Sequence, residues 1–218
     1  MARHADCTTA LFFNTESDMT QRLYGMKVAI LVGDYCEQIE LTSPRQALEQ
    51  EGAAAMIVSA QRGRVRGLHH VDQGDEFEVD ATFDDVTADD FSGVLLPGGV
   101  VNPDQLRILP GAQRFIRACA DDGKPIAVIC HGAWLLVSSG LARGRTLTSW
   151  PTLRDDIINA GGSWEDRPVV VDGVWISSRK PDDLPAFNRG MIDLFEMHPG
   201  RWQHPGTAGA DKKPAVPS

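Results

Sequence analysis

The segment Lys124 to Gly140, KPIAVICHGAWLLVSSG, constrains this chain more than any other. An apolar run of strand length passes straight into Cys-His-Gly and then into an amphipathic helical stretch. That order is the layout of a nucleophile elbow with Cys130 in the place of the more familiar serine. At such a turn the thiol projects from the carboxyl edge of a sheet, where open α/β folds bind their ligands. The positive end of the following helix favours the thiolate, the nucleophilic form of cysteine. The plainer reading of Cys130 is a buried structural thiol, since cysteine is commonly buried. The adjoining His131-Gly132 argues the other way, because a polar imidazole at a strand end followed by glycine is poorly explained by packing.

Around this segment, short β-rich apolar runs alternate with longer helical ones, the signature of a parallel sheet with crossover helices. Strands are expected at Lys27 to Val32, Ala54 to Ser59, Gly93 to Leu96, Ile126 to Ile129 and Thr146 to Ser149. Each is nearly continuously apolar, as a strand covered on both faces should be. Helices are expected from Ser43-Pro44 to Gly52, over Ala112 to Asp122, from His131, over Leu153 to Ala160 and over Pro181 to Phe195. The cap and first-position preferences of Ser and Pro, and glycine at helix ends, set these limits. Asp172-Gly173 inside Val169 to Ser177 predicts a β-hairpin.

A length of 218 residues with 42% hydrophobic content suits one sizeable domain. Residues 1–25 read as an N-terminal extension, 26–197 as the α/β domain and 198–218, with four prolines, as a flexible C-terminal tail. The formal net charge is −9 and the densest basic cluster is only Arg62, Arg64 and Arg66, so no nucleic-acid or anionic-membrane footprint is expected. No apolar run approaches the roughly 20 residues of a membrane span. Four widely spaced cysteines, Cys7, Cys36, Cys119 and Cys130, without a secretory leader pattern, predict thiols in a reducing, cytoplasmic setting.

Two further features fall at strand ends. Asp34, Glu37 and Glu40 follow the first strand, where a carboxyl group can share a proton with Cys130 or simply favour a helix start. Pro97-Gly98-Gly99 follows the third strand, and the amides of Gly99 and His131 are candidates for an oxyanion hole. An ordinary tight turn explains Gly98-Gly99 equally well. His69-His70 have no acid or thiol at ligand-like spacing, so no metal is expected and surface histidines in a hairpin are the simpler reading. Trp134 and Trp150 fit either a pocket wall or the core.

Five collinear stretches, KVAILVGDYCEQIELTSPR, VDATFDDVTADDFSGVLLPGG, GKPIAVICHG, LTSWPTLRDDIINAGG and VVVDGVWISSRKPDDLPAFNR, resemble the PfpI family of the class I glutamine amidotransferase-like superfamily. The resemblance runs from Met26 to about Glu196. It implies a flavodoxin-like three-layer sandwich with a mainly parallel sheet, assembled as a homo-oligomer, dimer or hexamer, in which a neighbouring subunit completes the site. It further implies Cys130 as nucleophile, Glu37 as its carboxyl partner, His131 as the adjacent imidazole, and Asp104 reaching His131 from the neighbour. Many members carry Glu at the Asp104 position. Cys36, often aromatic in relatives, is either a small filler or a resolving thiol for oxidised Cys130.

The function so implied is cofactor-independent chemistry on reactive carbonyls: the thiolate forms a hemithioacetal with a small aldehyde or a glycated substrate. Glyoxalase and deglycase activity in stress protection both follow from it. An intracellular cysteine peptidase and a redox-sensing stress protein or chaperone remain as alternatives. A true amidotransferase is disfavoured, because His198 is followed by Pro-Gly and no later His-x-Glu completes that triad.

Overall fold

The structure is a computed structural model that describes residues 21–199. Along the chain run β1 (Lys27–Leu31), β2 (Cys36–Glu37), α1 (Gln38–Gln50), β3 (Ala54–Ser59), β4 (Arg64–His69), β5 (Asp72–Glu78), β6 (Ala81–Thr82) and β7 (Gly93–Leu96). There follow α2 (Val101–Leu106), α3 (Pro110–Asp121), β8 (Ile126–Ile129), α4 (Ala133–Ser138), β9 (Thr146–Leu147), α5 (Arg154–Asn159), β10 (Ser163–Trp164), β11 (Val169–Asp172), β12 (Trp175–Ser178) and α6 (Leu184–Met197).

Seven strands form the central sheet in the order β11-β12-β8-β7-β1-β3-β6, and every pairing is parallel except β11 with β12. The parallel strands are apolar on both sides, and alternate residues serve different layers. Val28 and Ile30 of β1, Leu95 of β7 and Ala127 and Ile129 of β8 pack towards α1 and α6. Ala29 and Leu31, Val94 and Leu96, and Ile126 and Val128 pack towards α2, α3, α4 and α5. The expected three-layer sandwich with a mainly parallel sheet is therefore present. Each fully buried Ile or Phe contributes about 1.5–3 kcal/mol relative to exposure.

The chain leaves β1 for β3 on one side and later fills β7 and β8 on the other, so strand order reverses between β1 and β7. Such a reversal opens a crevice beyond the carboxyl ends of the strands. The loops that follow β1, β7 and β8 carry Glu37 and Glu40, Gly98 and Gly99, and Cys130 to that one edge.

Three local expectations differ from what forms. Helix α1 begins at Gln38, five residues before Ser43, and the Ser43 hydroxyl accepts a hydrogen bond from Asn188 of α6 at 2.8 Å instead of capping. Pro44 lies inside the helix, where its lost N–H removes one hydrogen bond near the amino end. The Thr146 to Ser149 strand is only two residues long and pairs with β10 outside the main sheet. Side chains replace the ladder beyond it: the Thr148 amide donates to Ser177 Oγ at 2.9 Å and Trp164 Nε1 donates to Ser149 Oγ at 2.9 Å.

The packed unit also starts before Met26. Leu23 is fully buried, its amide donates to the Glu51 carbonyl at 2.8 Å, and the Arg22 guanidinium reaches Asp193 at 2.8 Å. The remainder of the expected extension, 1–20, and the tail from 200 onwards lie outside the described residues. Among the described residues no helix is long and apolar enough to cross a membrane.

Candidate active site

Cys130 ends β8 and sits at φ 62, a left-handed conformation that is costly for any residue with a Cβ. A single-turn 3₁₀ segment, Cys130–Gly132, then leads into α4. The turn is possible because of Gly132: a Cβ there would lie 2.5 Å from the Leu96 carbonyl oxygen of the neighbouring strand end. The expected nucleophile elbow is thus formed, with the thiol buried at the strand edge.

Three groups surround the Cys130 sulfur. His131 Nδ1 lies 3.2 Å from Sγ. The backbone amides of Gly99 and His131, the two expected oxyanion donors, lie close enough to the sulfur to favour its thiolate. The third is a carboxyl group, and it belongs to Glu40, not to Glu37. Glu40 is in the first turn of α1, fully buried, and its Oε2 accepts the Gly98 amide at 3.0 Å. Its Oε1 is buried with no nitrogen or oxygen donor. Gly98 is what allows this contact, since a Cβ there would stand 2.5 Å from Glu40 Oε2 and 2.6 Å from Cys130 Cβ.

Glu37, three residues earlier, points out of the helix start into the cavity. Its Oε2 accepts the His70 amide at 3.1 Å and lies 3.6 Å from His70 Nδ1. The expected partnership of Glu37 with Cys130 is therefore corrected: helix α1 begins early enough to turn Glu40 inward, and the hairpin tip claims Glu37.

Burial pushes the Glu40 carboxyl up to about 8, and the nearby charge of Glu37 adds to the rise. At neutral pH the carboxyl accordingly keeps its proton. Burial likewise raises the Cys130 thiol, with the Glu40 charge second, while the amides of His131 and Gly99 act to lower it. Once Glu40 is protonated, its charge no longer opposes the thiolate. The pair shares protons as one unit. Burial holds His131 down to about 4, so its imidazole is neutral at pH 7. Trp150 stacks on that ring at 5.8 Å between centroids and Trp134 meets it edge-on at 5.2 Å.

The sulfur faces a cavity of about 570 Å³. Its floor holds Glu37, Glu40, Cys130 and His131; Leu68, Val71, Val100 and Val101 make an apolar wall, and Tyr35 and Trp150 add aromatic faces. The three non-glycine residues at positive φ among the described residues, Tyr35, His70 and Cys130, all line it. Backbone strain of this kind gathers at functional sites.

Of the other expected residues, Asp104 is exposed on α2 and does not line the cavity of a single chain. Cys36 is fully buried away from the cavity, and burial pushes its thiol up to about 12. Trp150 lines the pocket, whereas Trp134 supports His131 from behind and donates from Nε1 to Asp156 at 2.8 Å. The hairpin β4–β5, whose tip walls the site, was visible in the sequence only as a place for surface histidines. Among the described residues no group of three or more His, Cys, Asp or Glu side chains could hold a metal ion.

Known proteins resemble this chain in sequence and in fold. The deglycase PH1704 of Pyrococcus horikoshii is 43% identical over 171 residues, covering 78% of this chain and all of that protein. Protein/nucleic acid deglycase 2 of Escherichia coli is 40% identical over 175 residues, covering 78% of this chain and 97% of the relative. Among solved structures, a two-domain protein from Anabaena variabilis containing DJ-1/ThiJ/PfpI-like and ferritin-like domains superposes with a TM-score of 0.74 at 30% identity. That match spans 82% of this chain and half of the larger one. The profile of the DJ-1/PfpI family matches residues 26–194, from the first strand to the last helix. On these grounds the chain belongs to the DJ-1/PfpI family.

Proposed function

We propose that this chain is a cysteine enzyme acting on reactive carbonyls, a glutathione-independent glyoxalase and protein deglycase with Cys130 as nucleophile. The observation that carries the reading is the setting of the thiol: a strained elbow, a protonated Glu40 and two amides at the sulfur, opening on a largely apolar cavity. The names of relatives at about 40% identity, both deglycases, support it.

In this reading the Cys130 thiolate adds to the aldehyde carbon of a 2-oxoaldehyde such as methylglyoxal. The carbonyl electron pair moves to oxygen, which takes the proton of Glu40, giving a hemithioacetal. Neutral His131, with Nδ1 at the sulfur, removes the proton from the carbon bearing sulfur and returns it to the adjoining carbon. Water then cleaves the resulting thioester, releasing a hydroxy acid and the free thiol. No redox partner is consumed, because one carbon is oxidised as its neighbour is reduced. The proposal includes a cytoplasmic homo-oligomer in which Asp104 of a second copy approaches His131.

The test is D-lactate formation from methylglyoxal without glutathione, with metal-free wild type beside Cys130→Ser and Glu40→Gln. Turnover abolished by the first and reduced at least about a hundredfold by the second is expected. No turnover by reduced wild type would sink the reading. A peptidase is the second reading, favoured by the 3.2 Å contact between Sγ and Nδ1. Cleavage of unglycated peptides that is lost in Cys130→Ser would select it.

A further inference from the structure

The site contains a second imidazole that the chemistry above does not use. His70 lies at the tip of the β4–β5 hairpin, on the wall of the cavity that holds Cys130. Residues His69 and Asp72 pair across the hairpin, so His70 and Val71 form a two-residue loop. Glycine, asparagine and aspartate are the residues such loops ordinarily use, because positive φ costs them least. Here a histidine takes that position at φ 60. It is fixed there by Glu37, which accepts its amide at 3.1 Å and whose Oε2 stands 3.6 Å from its Nδ1. A carboxylate on one ring nitrogen orients the other towards a reacting group, as in acid–base dyads. His70 thus stands in a strained backbone, paired with a nearly buried carboxylate, with its side chain largely exposed at the cavity mouth.

We propose that His70, oriented by Glu37, is the proton donor to the amine released from a glycated substrate. This rests on the function proposed above and assigns the part of it that a free aldehyde does not require. An amine adduct of a 2-oxoaldehyde carries a carbon–nitrogen bond that must break, and an amine leaves poorly without a proton. His131 is badly placed for that task, since its Nδ1 is engaged at the sulfur and burial keeps its ring neutral. Histidine is the side chain best suited to exchange a proton near neutral pH.

In net terms the thiolate pair of Cys130 forms the sulfur–carbon bond as the carbon–nitrogen bond breaks, its electron pair staying on nitrogen. The proton of the His70 imidazolium goes to that nitrogen, so the amine leaves neutral and the imidazole is left neutral beside Glu37. Water recharges it. The adduct carbon remains on sulfur as the hemithioacetal that free methylglyoxal also gives. A second recess, lined by Gln38, Thr42, His69 and Pro181, adjoins across Glu37 and His70 and offers room for the side chain that bears the amine.

The test compares two substrates on the full chain: methylglyoxal itself and its adduct with Nα-acetyl-lysine, with uncatalysed reversal subtracted. The quantity read is the ratio of adduct to free-aldehyde turnover. In His70→Gly, which also relieves the positive φ, this ratio should fall about a hundredfold and recover at least about tenfold on addition of imidazole. In Glu37→Gln it should fall about tenfold. An unchanged ratio in His70→Gly overturns the assignment and leaves the carbonyl enzyme standing. A fall that imidazole does not recover reduces His70 to a wall residue and overturns it too. Wild type inactive on both substrates overturns both proposals.

Discussion

Glu40 Oε2 accepts the Gly98 amide at 3.0 Å, and this one hydrogen bond ties the first turn of α1 to the loop after β7, directly beneath Cys130. It fixes which acid meets the thiol. With burial raising the carboxyl to about 8, Glu40 is protonated at neutral pH and loses its proton as pH rises through that value. Activity that needs the carboxyl proton should fall on the alkaline side with a midpoint near 8. In Glu40→Gln the rate should be low and this limb absent, a contrast that a pH profile of kcat/KM reads. A limb unchanged in the variant would assign it to another group.

The same raised pKa has a consequence for stability. A folded-state pKa above the unfolded one means the folded chain binds more protons between the two. Stability from this group is therefore full below about pH 4 and declines up to about pH 8. Glu40→Gln removes that decline. Urea midpoints at pH 6 and pH 9 should differ less in the variant than in wild type, and the variant should be the more stable protein at pH 9.

Gly98→Ala tests the close approach itself. The added Cβ would stand 2.5 Å from Glu40 Oε2, 2.6 Å from Cys130 Cβ and 2.9 Å from the His131 amide. All three belong to groups at the reacting centre, so the backbone must shift where it carries the chemistry. Turnover should drop at least about a hundredfold for a stability loss of about 1–3 kcal/mol. Turnover near the wild-type level would show that the loop relaxes without moving the donors.

How the sequence foretold this site depended on the kind of information each part carries. The strand ending in Cys130 was legible because an apolar run, Cys-His and Gly132 each report a backbone requirement that is local. The choice between Glu37 and Glu40 was not, because it turns on where α1 begins. The one local cue, Ser43-Pro44, points to a later start, and the Ser43 hydroxyl instead accepts from Asn188 of α6, a contact between residues 145 apart in sequence. A hairpin at His69-His70 was legible, but its strands β4 and β5 and its place at the site were hidden for a different reason. Its strands alternate charge with single apolar residues, as in Arg64-Val65-Arg66 and Glu76-Phe77-Glu78, and most of its surface meets solvent. No continuous apolar run marks it, although its tip walls the cavity.

His131 makes the opposite titration. Buried against Trp150 and Trp134, its imidazole is held down to about 4, below its unfolded value of about 6.5. Here the unfolded chain binds the extra proton, so stability is present above pH 6.5 and is lost as pH falls through about 4. The contribution is a few kcal/mol at most. His131→Gln should flatten the acid side of the stability curve between pH 6.5 and 4, measured by thermal unfolding at a series of pH values. An acid limb of equal steepness in the variant would place its origin in the carboxylates.

Leu23 tests where the folded unit begins. It precedes the β1 strand, yet it is fully buried in the layer that holds α1 and α6, and Arg22 beside it bridges to Asp193 and Glu196 on α6. The two contacts differ in weight. The ion pairs are exposed, and such pairs are worth about 0–1 kcal/mol, whereas truncating a buried leucine removes both transfer energy and packing. Leu23→Ala should cost about 2–4 kcal/mol in chemical denaturation, and Arg22→Ala less than about 1 kcal/mol. Because Leu23 lies in the layer that also holds Leu41 and Leu48 of α1, its loss should loosen the helix that carries Glu40, so the same variant should also show faster alkylation of Cys130. A Leu23→Ala protein with wild-type stability would return the boundary to Met26.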